Sequence, residues 1–383
     1  MAIYSAYMTD DHESLRELAR DFAETSLAPI AAEVDKTDKF PWEVVAQMGE
    51  LGFYGIKIPE EYGGLGLDTR SYVCVMEELA KKSAVATLFV SSANSLSSAP
   101  LLLFGTEAQK NMLLPKLATG EILIAFGLTE PGAGSDAGAL STKAVKDGDS
   151  YILNGRKCFI TLAPESQYTI IFAKTSPEKG VKGITAFIVD MSLPGVSCGK
   201  PEEKMGQRGA HVTDILLEDV RVPASMVLGE VDKGFINAMQ ALDYGRVGIA
   251  AMSLGMAQEA LDLAVEHVKT RVQFGKPLAK QQSIQFMLAD MQTQLNAARL
   301  TVYDAAYRMD THDADATAAA SMAKYMAAET AIKVINTALQ LHGGYGYSRE
   351  YAIERIYRDI RICSIYEGSS QVQQMVIAGN LLK

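Results

Sequence analysis

The chain has 383 residues, a hydrophobic fraction of 48% and a formal net charge of -10. This length exceeds what one ordinary hydrophobic core serves, so two or three domains are expected. The acidic balance disfavours nucleic acid and anionic membranes as partners, because both attract basic proteins. The four cysteines form no CxxC pair, which disfavours a disulfide framework or a thiolate zinc site.

The N-terminal stretch has no basic start and no apolar central segment, and acidic residues begin at Asp10. We therefore expect neither a signal peptide nor a transit peptide. We also find no uncharged apolar run that approaches ~20 residues, so no membrane span is predicted. The resulting expectation is a cytoplasmic protein.

Helical signals dominate a first zone, which we place at residues 1–120. Thr9 is a candidate N-cap, and acidic residues and a helical apolar period follow it. Pro41 opens a second helix, and residues 73–82 and 107–117 are predicted to form two more. This zone is interpreted as an N-terminal α-helical domain.

Turn residues become frequent in a second zone, at residues 121–231. Dipeptides such as Asn154-Gly155 break it every few residues. Between them lie β-type runs, for example at residues 168–172 and 184–189. Short, regularly spaced strands indicate a compact central β-domain, either a sandwich or a barrel.

A third zone, at residues 232–383, is helical again. Residues 238–269, 283–307 and 314–341 form long stretches that are rich in Ala, Leu, Met and Gln and lack proline. Helices of this length and apolar width should pack as an antiparallel four-helix bundle. The predicted fold class is therefore α+β and multidomain: helices, then a β-domain, then a C-terminal helical bundle.

Several stretches resemble nucleotide-binding or metal-binding motifs but lack the residues or spacing that such sites require. The glycine-rich stretch at residues 132–138 has the wrong spacing for GxGxxG, and no Walker lysine follows it. His312, Asp313 and Asp315 fit a solvated helix start better than a metal site. A di-iron bundle needs Glu three residues before His, and none of the five histidines has it. No metal site is predicted.

Three clusters are harder to explain by structure alone. They lie at residues 271–277, 340–346 and 365–371, and each contains at least one glycine together with an arginine, glutamine or glutamate. In the cluster at residues 340–346, which ends a predicted helix, the glycine amides could approach a phosphate closely. On spacing alone, each cluster could equally be a turn.

Six motifs taken in order resemble the acyl-CoA dehydrogenase family over essentially the whole chain. They lie at residues 126–135, 159–161, 243–246, 271–277, 340–344 and 366–368. The resemblance implies FAD between the β-domain and the bundle and an acyl-CoA substrate. It also implies electron-transferring flavoprotein (ETF) as redox partner, and a homotetramer.

The resemblance also implies roles for individual residues. The implied FAD-binding residues are Phe126, Leu128, Thr129, Gly134, Ser135, Phe159, Ile160, Thr161, Arg271, Phe274, Gln282, Gln340, Gly343, Gly344, Ser369 and Gln371. The implied substrate-binding residues are Ser135, Asp243, Arg246, Tyr366 and Gly368. The arginine at 271 and the segment 340–344 are implied to reach the cofactor across a subunit interface.

Glu367 matches the family's catalytic base. Some relatives place that base just before the arginine of the Asp-x-x-Arg stretch, a position that is Gly245 here. A dry pocket raises the pKa of a carboxyl group and makes it a stronger base. The implied reaction is removal of the α-proton by Glu367 and hydride transfer to flavin N5.

The acyl group and the direction of the reaction stay open at this stage. Residues 243–251 resemble the short-chain, butyryl-type branch, whereas Tyr244 equally suits a branched or aromatic acyl chain. The same site could reduce an enoyl-CoA. Two further readings are an acyl-CoA oxidase, usually a longer chain, and a non-catalytic scaffold, which should have lost the base or the FAD motifs.

Two departures from the family pattern stand out. Leu162-Ala163-Pro164 replaces a common Asn and Gly after the aromatic motif at residues 159–161, and Ser369 stands where Thr is common. The first change is expected to alter the surroundings of the flavin or the docking of a redox partner. Neither departure involves the predicted base.

Overall fold

The computed structural model describes residues 7–383, in which helical regions flank a β-region. The α-helices are α1 (Asp10–Phe22), α2 (Ala31–Thr37), α3 (Trp42–Glu50), α4 (Thr69–Lys82), α5 (Ala84–Ser92), α6 (Ser98–Phe104), α7 (Glu107–Ala118), α8 (Gly234–Thr270), α9 (Gln282–Asp310), α10 (Ala316–Leu341), α11 (Ala352–Ile360) and α12 (Ser370–Leu381). The β-strands are β1 (Ile124–Gly127), β2 (Lys143–Asp147), β3 (Ser150–Thr161), β4 (Tyr168–Lys174), β5 (Ile184–Asp190), β6 (Val196–Cys198), β7 (Val212–Pro223), β8 (Val227–Leu228), β9 (Val272–Gln273) and β10 (Lys276–Pro277). The predicted order of helices, strands and helices is confirmed.

The N-terminal helices begin where local capping chemistry places them. Thr9 is the N-cap of α1, and its backbone N–H donates to Nδ1 of His12 at 3.0 Å. Helix α4 begins four residues before the predicted start, because Asp68 caps it and accepts from the backbone N–H of Ser71 at 2.8 Å. Helix α3 follows Pro41, as predicted.

The sequence prediction missed the helical stretch at residues 84–104, where α5 and α6 are joined by a π-helical turn, Ala93–Ser97. This stretch is long and apolar enough to cross a membrane by length and composition, so the predicted absence of such a run is wrong. Within the protein, 72% of its apolar window is buried, as in a core helix of a soluble protein. The predicted absence of a targeting segment falls partly on residues 1–6, outside the described residues.

Eight strands form one connected sheet in the order β6-β7-β3-β2-β4-β5-β8, with β1 paired in parallel to β4. Strands β4 and β5, both predicted, pair antiparallel with Ile170 opposite Ile188. The ladder between β3 and β7 is irregular between Lys157 and Ile160. Such a bulge re-aims side chains, and here it exposes Phe159.

Helix α8 connects the β-region to the bundle and packs against α4, α9 and α10. Its small residues allow close approach: a Cβ on Gly255 would lie 2.2 Å from the carbonyl oxygen of Glu77 in α4. One hydrophobic core continues through the N-terminal helices, one face of the sheet and the bundle, and a second lies within the β-region. The predicted domain boundaries fall between α7 and β1 and between β8 and α8.

Candidate active site

Glu367 lies in a tight turn between α11 and α12, which we call the Glu367 turn (Glu367 and Gly368). Both residues have positive φ, 51° and 87°. A non-glycine residue in this left-handed region is uncommon and costs on the order of 1 kcal/mol, so its surroundings must hold it there. Nζ of Lys324 and Nε2 of Gln373 donate to the carbonyl oxygen of Gly368 at 2.7 and 2.9 Å. Ser369 then caps α12.

The Glu367 carboxylate is buried and its pKa is raised. Its Oε2 atom is buried and has no hydrogen-bond partner among residues 7–383. Burial raises the pKa of the carboxyl from its ordinary 4.5 to about 7, against the opposing effect of the Lys324 and Arg246 cations. A carboxylate with a free buried oxygen and a pKa near neutrality is suited to general acid–base catalysis.

Helix α8 makes room for this carboxylate with a glycine. A Cβ on Gly245 would lie 2.1 Å from Oε2 of Glu367. One turn later, a Cβ on Gly248 would lie 2.0 Å from Oη of Tyr72, which donates to Oγ of Ser91 at 3.2 Å. The position that holds the base in some relatives is therefore in direct contact with Glu367, and only glycine fits there beside it.

Asp243 and Arg246 lie on the same helix and pair with each other. The guanidinium is buried and donates through Nη1 to Oδ1 of Asp243 at 2.5 Å and to Oγ of Ser321 at 3.3 Å. Asp243 also accepts from Oγ1 of Thr317 at 2.8 Å, so the pair connects α8 to α10. The structure places Arg246 beside the Glu367 turn, and its contact with substrate stays a prediction.

Tyr366 precedes the Glu367 turn and is fixed from the β-region side. Its Oη accepts from Nε2 of Gln207 at 3.4 Å. The backbone N–H of Gln207 donates to Oδ1 of the buried Asp359 at 2.5 Å. Two segments distant in sequence, around Gln207 and from Asp359 to Tyr366, therefore meet beside the predicted base.

The loop at residues 126–135 is attached to β3. The backbone N–H of Cys158 donates to the carbonyl oxygen of Thr129 at 2.9 Å. Nζ of the fully buried Lys157 lies 2.7 Å from Oε1 of Glu130. Burial acts to raise the pKa of Glu130, but Lys157 and the hydroxyl of Thr142 lower it to about 2. This buried ion pair fixes the loop against the strand.

The surface between this loop and β3 fits a flat aromatic ring with polar edges, such as a flavin. Phe159 has φ 56° and is 65% exposed, whereas Ile160 beside it is buried. Gly134 and Ser135 are exposed, and a Cβ on Gly134 would meet nothing within 4 Å. Phe126 and Leu128 line the buried side of the loop, and Thr161 follows on β3.

The Leu162-Ala163-Pro164 departure lies directly after this surface. Leu162 has φ 62° and its backbone N–H donates to the carbonyl oxygen of His211 at 2.8 Å. Leu162 and Ala163 are buried, and Pro164 is exposed. Leu162 and Ala163 therefore pack inward, and none of the three residues presents a polar side chain to this surface.

Other predicted cofactor residues gather at one end of the bundle, which we call the hairpin end (Arg271, Phe274, Gln340, Gly343 and Gly344). The Arg271 guanidinium lies 5.3 Å from the centre of the Tyr345 ring. Phe274, at the tip of the β9–β10 hairpin, is 93% exposed. A Cβ on either Gly343 or Gly344 would meet nothing within 4 Å. A guanidinium beside open glycine amides fits a pyrophosphate.

The predicted residues thus lie in three clusters: the Glu367 turn with α8, the 126–135 loop with β3, and the hairpin end. Gln282, at the start of α9, and Gln371, at the start of α12, are exposed. His312 lies in the exposed turn between α9 and α10, and residues 7–383 contain no group of His, Cys, Asp or Glu that could hold a metal ion.

Sequence reasoning missed the two side chains that hold the Glu367 turn. Lys324 is fully buried on α10, and Gln373 is fully buried on α12. A signal for Lys324 exists, because it stands alone as a charge on an alanine-rich helix face whose neighbours Ala320, Ala323 and Ala327 are all buried. Buried lysines are rare unless they have a partner.

Known families match nearly all of this chain. Residues 9–121 match the N-terminal domain of acyl-CoA dehydrogenase, residues 125–220 its middle domain and residues 232–382 its C-terminal domain. The three matches follow the order of helices, strands and helices in the structure.

Individual relatives and structures agree with this match. The chain is 58% identical to a 3-(aryl)acrylate reductase of Clostridium sporogenes, over 98% of this chain and 100% of that protein. It is 54% identical to a subunit of the caffeyl-CoA reductase–Etf complex of Acetobacterium woodii, over 98% and 100%. The structure of butyryl-CoA dehydrogenase from Megasphaera elsdenii superposes with a TM-score of 0.96 at 46% identity, covering 98% and 99%. The chain belongs to the acyl-CoA dehydrogenase family.

Proposed function

We propose that this enzyme interconverts an acyl-CoA and its 2-enoyl-CoA, with Glu367 carrying the α-proton. The observation that carries the proposal is the Glu367 carboxylate: one oxygen is buried without a hydrogen-bond partner among residues 7–383, and its pKa is raised to about 7. A structural carboxylate in this position would be paired or solvated. This one is held by a strained turn and faces a helix that has no side chain opposite it.

The role of Glu367 follows from its environment. The proton on the carbon next to a thioester is weakly acidic, and a partly dehydrated carboxylate is a stronger base than one in water. In the oxidative direction, Glu367 takes this proton. In the reductive direction, the protonated Glu367 returns it to the same carbon. Gly245 leaves the space in which the carboxylate can reach the substrate.

FAD is the cofactor of this family and, when bound, exchanges a hydride with the β-carbon. In this chain, the Phe159 face and the 126–135 loop would hold the ring system. Arg271, Gly343 and Gly344 would hold the pyrophosphate. Because the hairpin end is exposed in a single chain, we propose that it reaches the cofactor of a neighbouring subunit in a cytoplasmic homotetramer.

For the physiological direction, we propose reduction of a 3-arylacryloyl thioester with electrons from ETF. The support is the relatives with 58% and 54% identity, whose names specify reduction of aryl acrylates and of caffeyl-CoA in a complex with Etf. The second candidate is dehydrogenation of a short-chain acyl-CoA. It is favoured by the 46% identity to butyryl-CoA dehydrogenase and by residues 243–251.

The test uses the purified, FAD-loaded protein under anaerobic conditions. Oxidised protein is mixed with butyryl-, isovaleryl-, octanoyl- and 3-phenylpropionyl-CoA, and photoreduced protein with the matching enoyl thioesters, while the visible flavin absorbance is followed. The proposal expects cinnamoyl-CoA to reoxidise the reduced flavin rapidly. Butyryl-CoA and its enoyl counterpart, called the C4 pair below, should react more slowly. Faster reaction with the C4 pair supports the second candidate. No reaction in either direction contradicts both.

The pH dependence of these half-reactions should have opposite signs. Proton removal requires the ionised Glu367, so the rate of flavin reduction should rise as pH increases through about 7. Proton return requires the neutral carboxyl, so the rate of reoxidation by an enoyl-CoA should fall over the same range. Stopped-flow rates across this range measure both, and two profiles of the same sign would contradict the assignment of the proton to Glu367.

A further inference from the structure

Lys324 occupies an unusual position for a cation. It lies on α10 with an exposed fraction of 0%, and its Nζ donates to the carbonyl oxygen of Gly368 at 2.7 Å. Burial lowers its pKa to about 8, so it is still largely charged at neutral pH. Burying a lysine is costly, and such a residue persists where it has a specific partner. Here that partner is the Glu367 turn.

The turn depends on donors from two helices. Glu367 and Gly368 are both left-handed, which leaves their carbonyl groups without the partners of a continuing helix. Lys324 donates to Gly368, and Nε2 of Gln373 donates to both carbonyls, at 3.2 Å to Glu367 and 2.9 Å to Gly368. Without Lys324, Gln373 is, among residues 7–383, the one side chain left that donates to these two carbonyl groups.

The same ammonium is part of the charge environment of the carboxylate. The cations that act on Glu367 are Lys324 from α10 and Arg246 from α8. The other titratable groups around this cluster are Cys363 and Glu329, which act on Lys324, and the hydroxyls of Tyr366 and Tyr72, which Glu367 affects. Glu329 is engaged by Oγ of Ser370 at 2.6 Å. Because Arg246 is paired with Asp243, Lys324 is the cation that lowers the pKa of Glu367 most.

We propose that Lys324 is a positioning residue for proton transfer: through its hydrogen bond to Gly368, its ammonium holds the Glu367 turn in its left-handed conformation and places a cation beside that turn. This inference rests on the proposed function of Glu367. Lys324 does not contact the reacting atoms in this account. It acts through the residue that does.

The experiment compares Lys324→Met, Lys324→Gln and Gln373→Met with Lys333→Met as a matched control, since Lys333 is exposed on the same helix. The rate of flavin reduction by the best acyl-CoA is measured from roughly pH 5 to pH 9, together with FAD content. Lys324→Met should lower the plateau rate at least ~10-fold, because the base is displaced. In the pH–rate profile, the acid limb is the range in which the rate rises as Glu367 ionises. Lys324→Met should also shift this limb up by about one pH unit, because a cation that favours the ionised carboxylate is gone.

The other variants separate the two roles of Lys324. Lys324→Gln keeps a donor but no charge, so it should move the acid limb with a smaller loss of rate. Gln373→Met keeps the ammonium, so it should lower the rate without moving the limb. Lys333→Met should change neither. If neither Lys324 variant retains FAD, Gln373→Met decides: with Lys324 intact, its pH–rate profile should keep the wild-type acid limb, and a moved limb in that variant overturns the inference.

Failure of this inference is distinguishable from failure of the proposed function. A wild-type protein that reacts with no thioester overturns the function itself. A wild-type protein that reacts, together with an FAD-loaded Lys324→Met variant of unchanged pH profile, overturns only the role of Lys324, since a purely structural lysine would lower stability and leave the acid limb in place.

Discussion

The Glu367 turn and the hairpin end are both predicted to serve one reaction, yet they are built in opposite ways. At the Glu367 turn, donors from α10 and α12 hold the backbone and the carboxylate oxygen is buried. At the hairpin end, Phe274 is 93% exposed and the glycines face open space. The side chains that hold the first come from the same chain. The second exposes an aromatic ring and glycine backbone, which agrees with its proposed role as a binding surface.

This contrast agrees with different proposed tasks, proton transfer at the Glu367 turn and cofactor and subunit binding at the hairpin end. A base must keep one position and one charge environment, and intrachain packing supplies both. A surface for a cofactor and a second subunit must stay accessible until they bind. Substitutions at the Glu367 turn should therefore change rates, whereas substitutions at the hairpin end should change affinity for FAD.

The largest effect is expected for Glu367→Gln. It keeps the shape of the side chain but removes the group that carries the proton, so the rate of flavin reduction should fall at least ~10³-fold. FAD content and acyl-CoA binding, measured by absorbance and by calorimetry, should stay near wild type. A variant that keeps a substantial rate would show that the turn is not where the proton is transferred.

Gly245→Ala should have the next largest effect. Its Cβ would lie 2.1 Å from Oε2 of Glu367, so the carboxylate must move, and the rate should fall about 10² -fold. Gly379→Ala on α12 is the control, because a Cβ there meets nothing within 4 Å. The control should leave the rate unchanged. Because Gly379 lies within a helix, its replacement by Ala should raise the free energy of unfolding by about 0.5–1 kcal/mol. Equal rates for the two variants would contradict the close contact of α8 with the base.

Arg271→Met should weaken FAD binding about tenfold, since the loss of a charge-assisted contact to a phosphate is of that order. The turnover rate at saturating FAD should change little. Lys276→Met in the same hairpin is the matched control, being exposed and similar in charge. FAD fluorescence titration of the apoprotein measures both, and an equal effect of the two substitutions would reduce the role of Arg271 to general positive charge.

The smallest effect concerns stability. The folded-state pKa of Glu367 is raised from 4.5 to about 7, so the neutral carboxyl favours folding. Its stabilising contribution is fully present below pH 4.5 and is lost as pH rises through about 7. Glu367→Gln cannot ionise, so its Tm relative to wild type should increase by about 1–3 °C over this range. A Tm difference that does not change with pH would contradict the raised pKa.

Local patterns predicted much of the architecture. Helices α8, α9 and α10 and strands β4 and β5 lie where apolar periodicity and turn residues indicated. The helical stretch at residues 84–104 was missed, because it is buried on nearly all sides and carries no amphipathic period. An amphipathic pattern reports a single buried face, so it is silent on an element that the protein surrounds.

By itself, the sequence determined the family, the order of the three regions and Glu367 as the candidate base, because these depend on residue types at short spacing. Only the tertiary structure decided what holds that base. Lys324 is 44 residues from Gly368, and Gln207 is 152 residues from Asp359. Gly245 matters because a distant carboxylate fills the space beside it. Such pairings depend on how helices pack, and packing brings together residues that no local pattern relates.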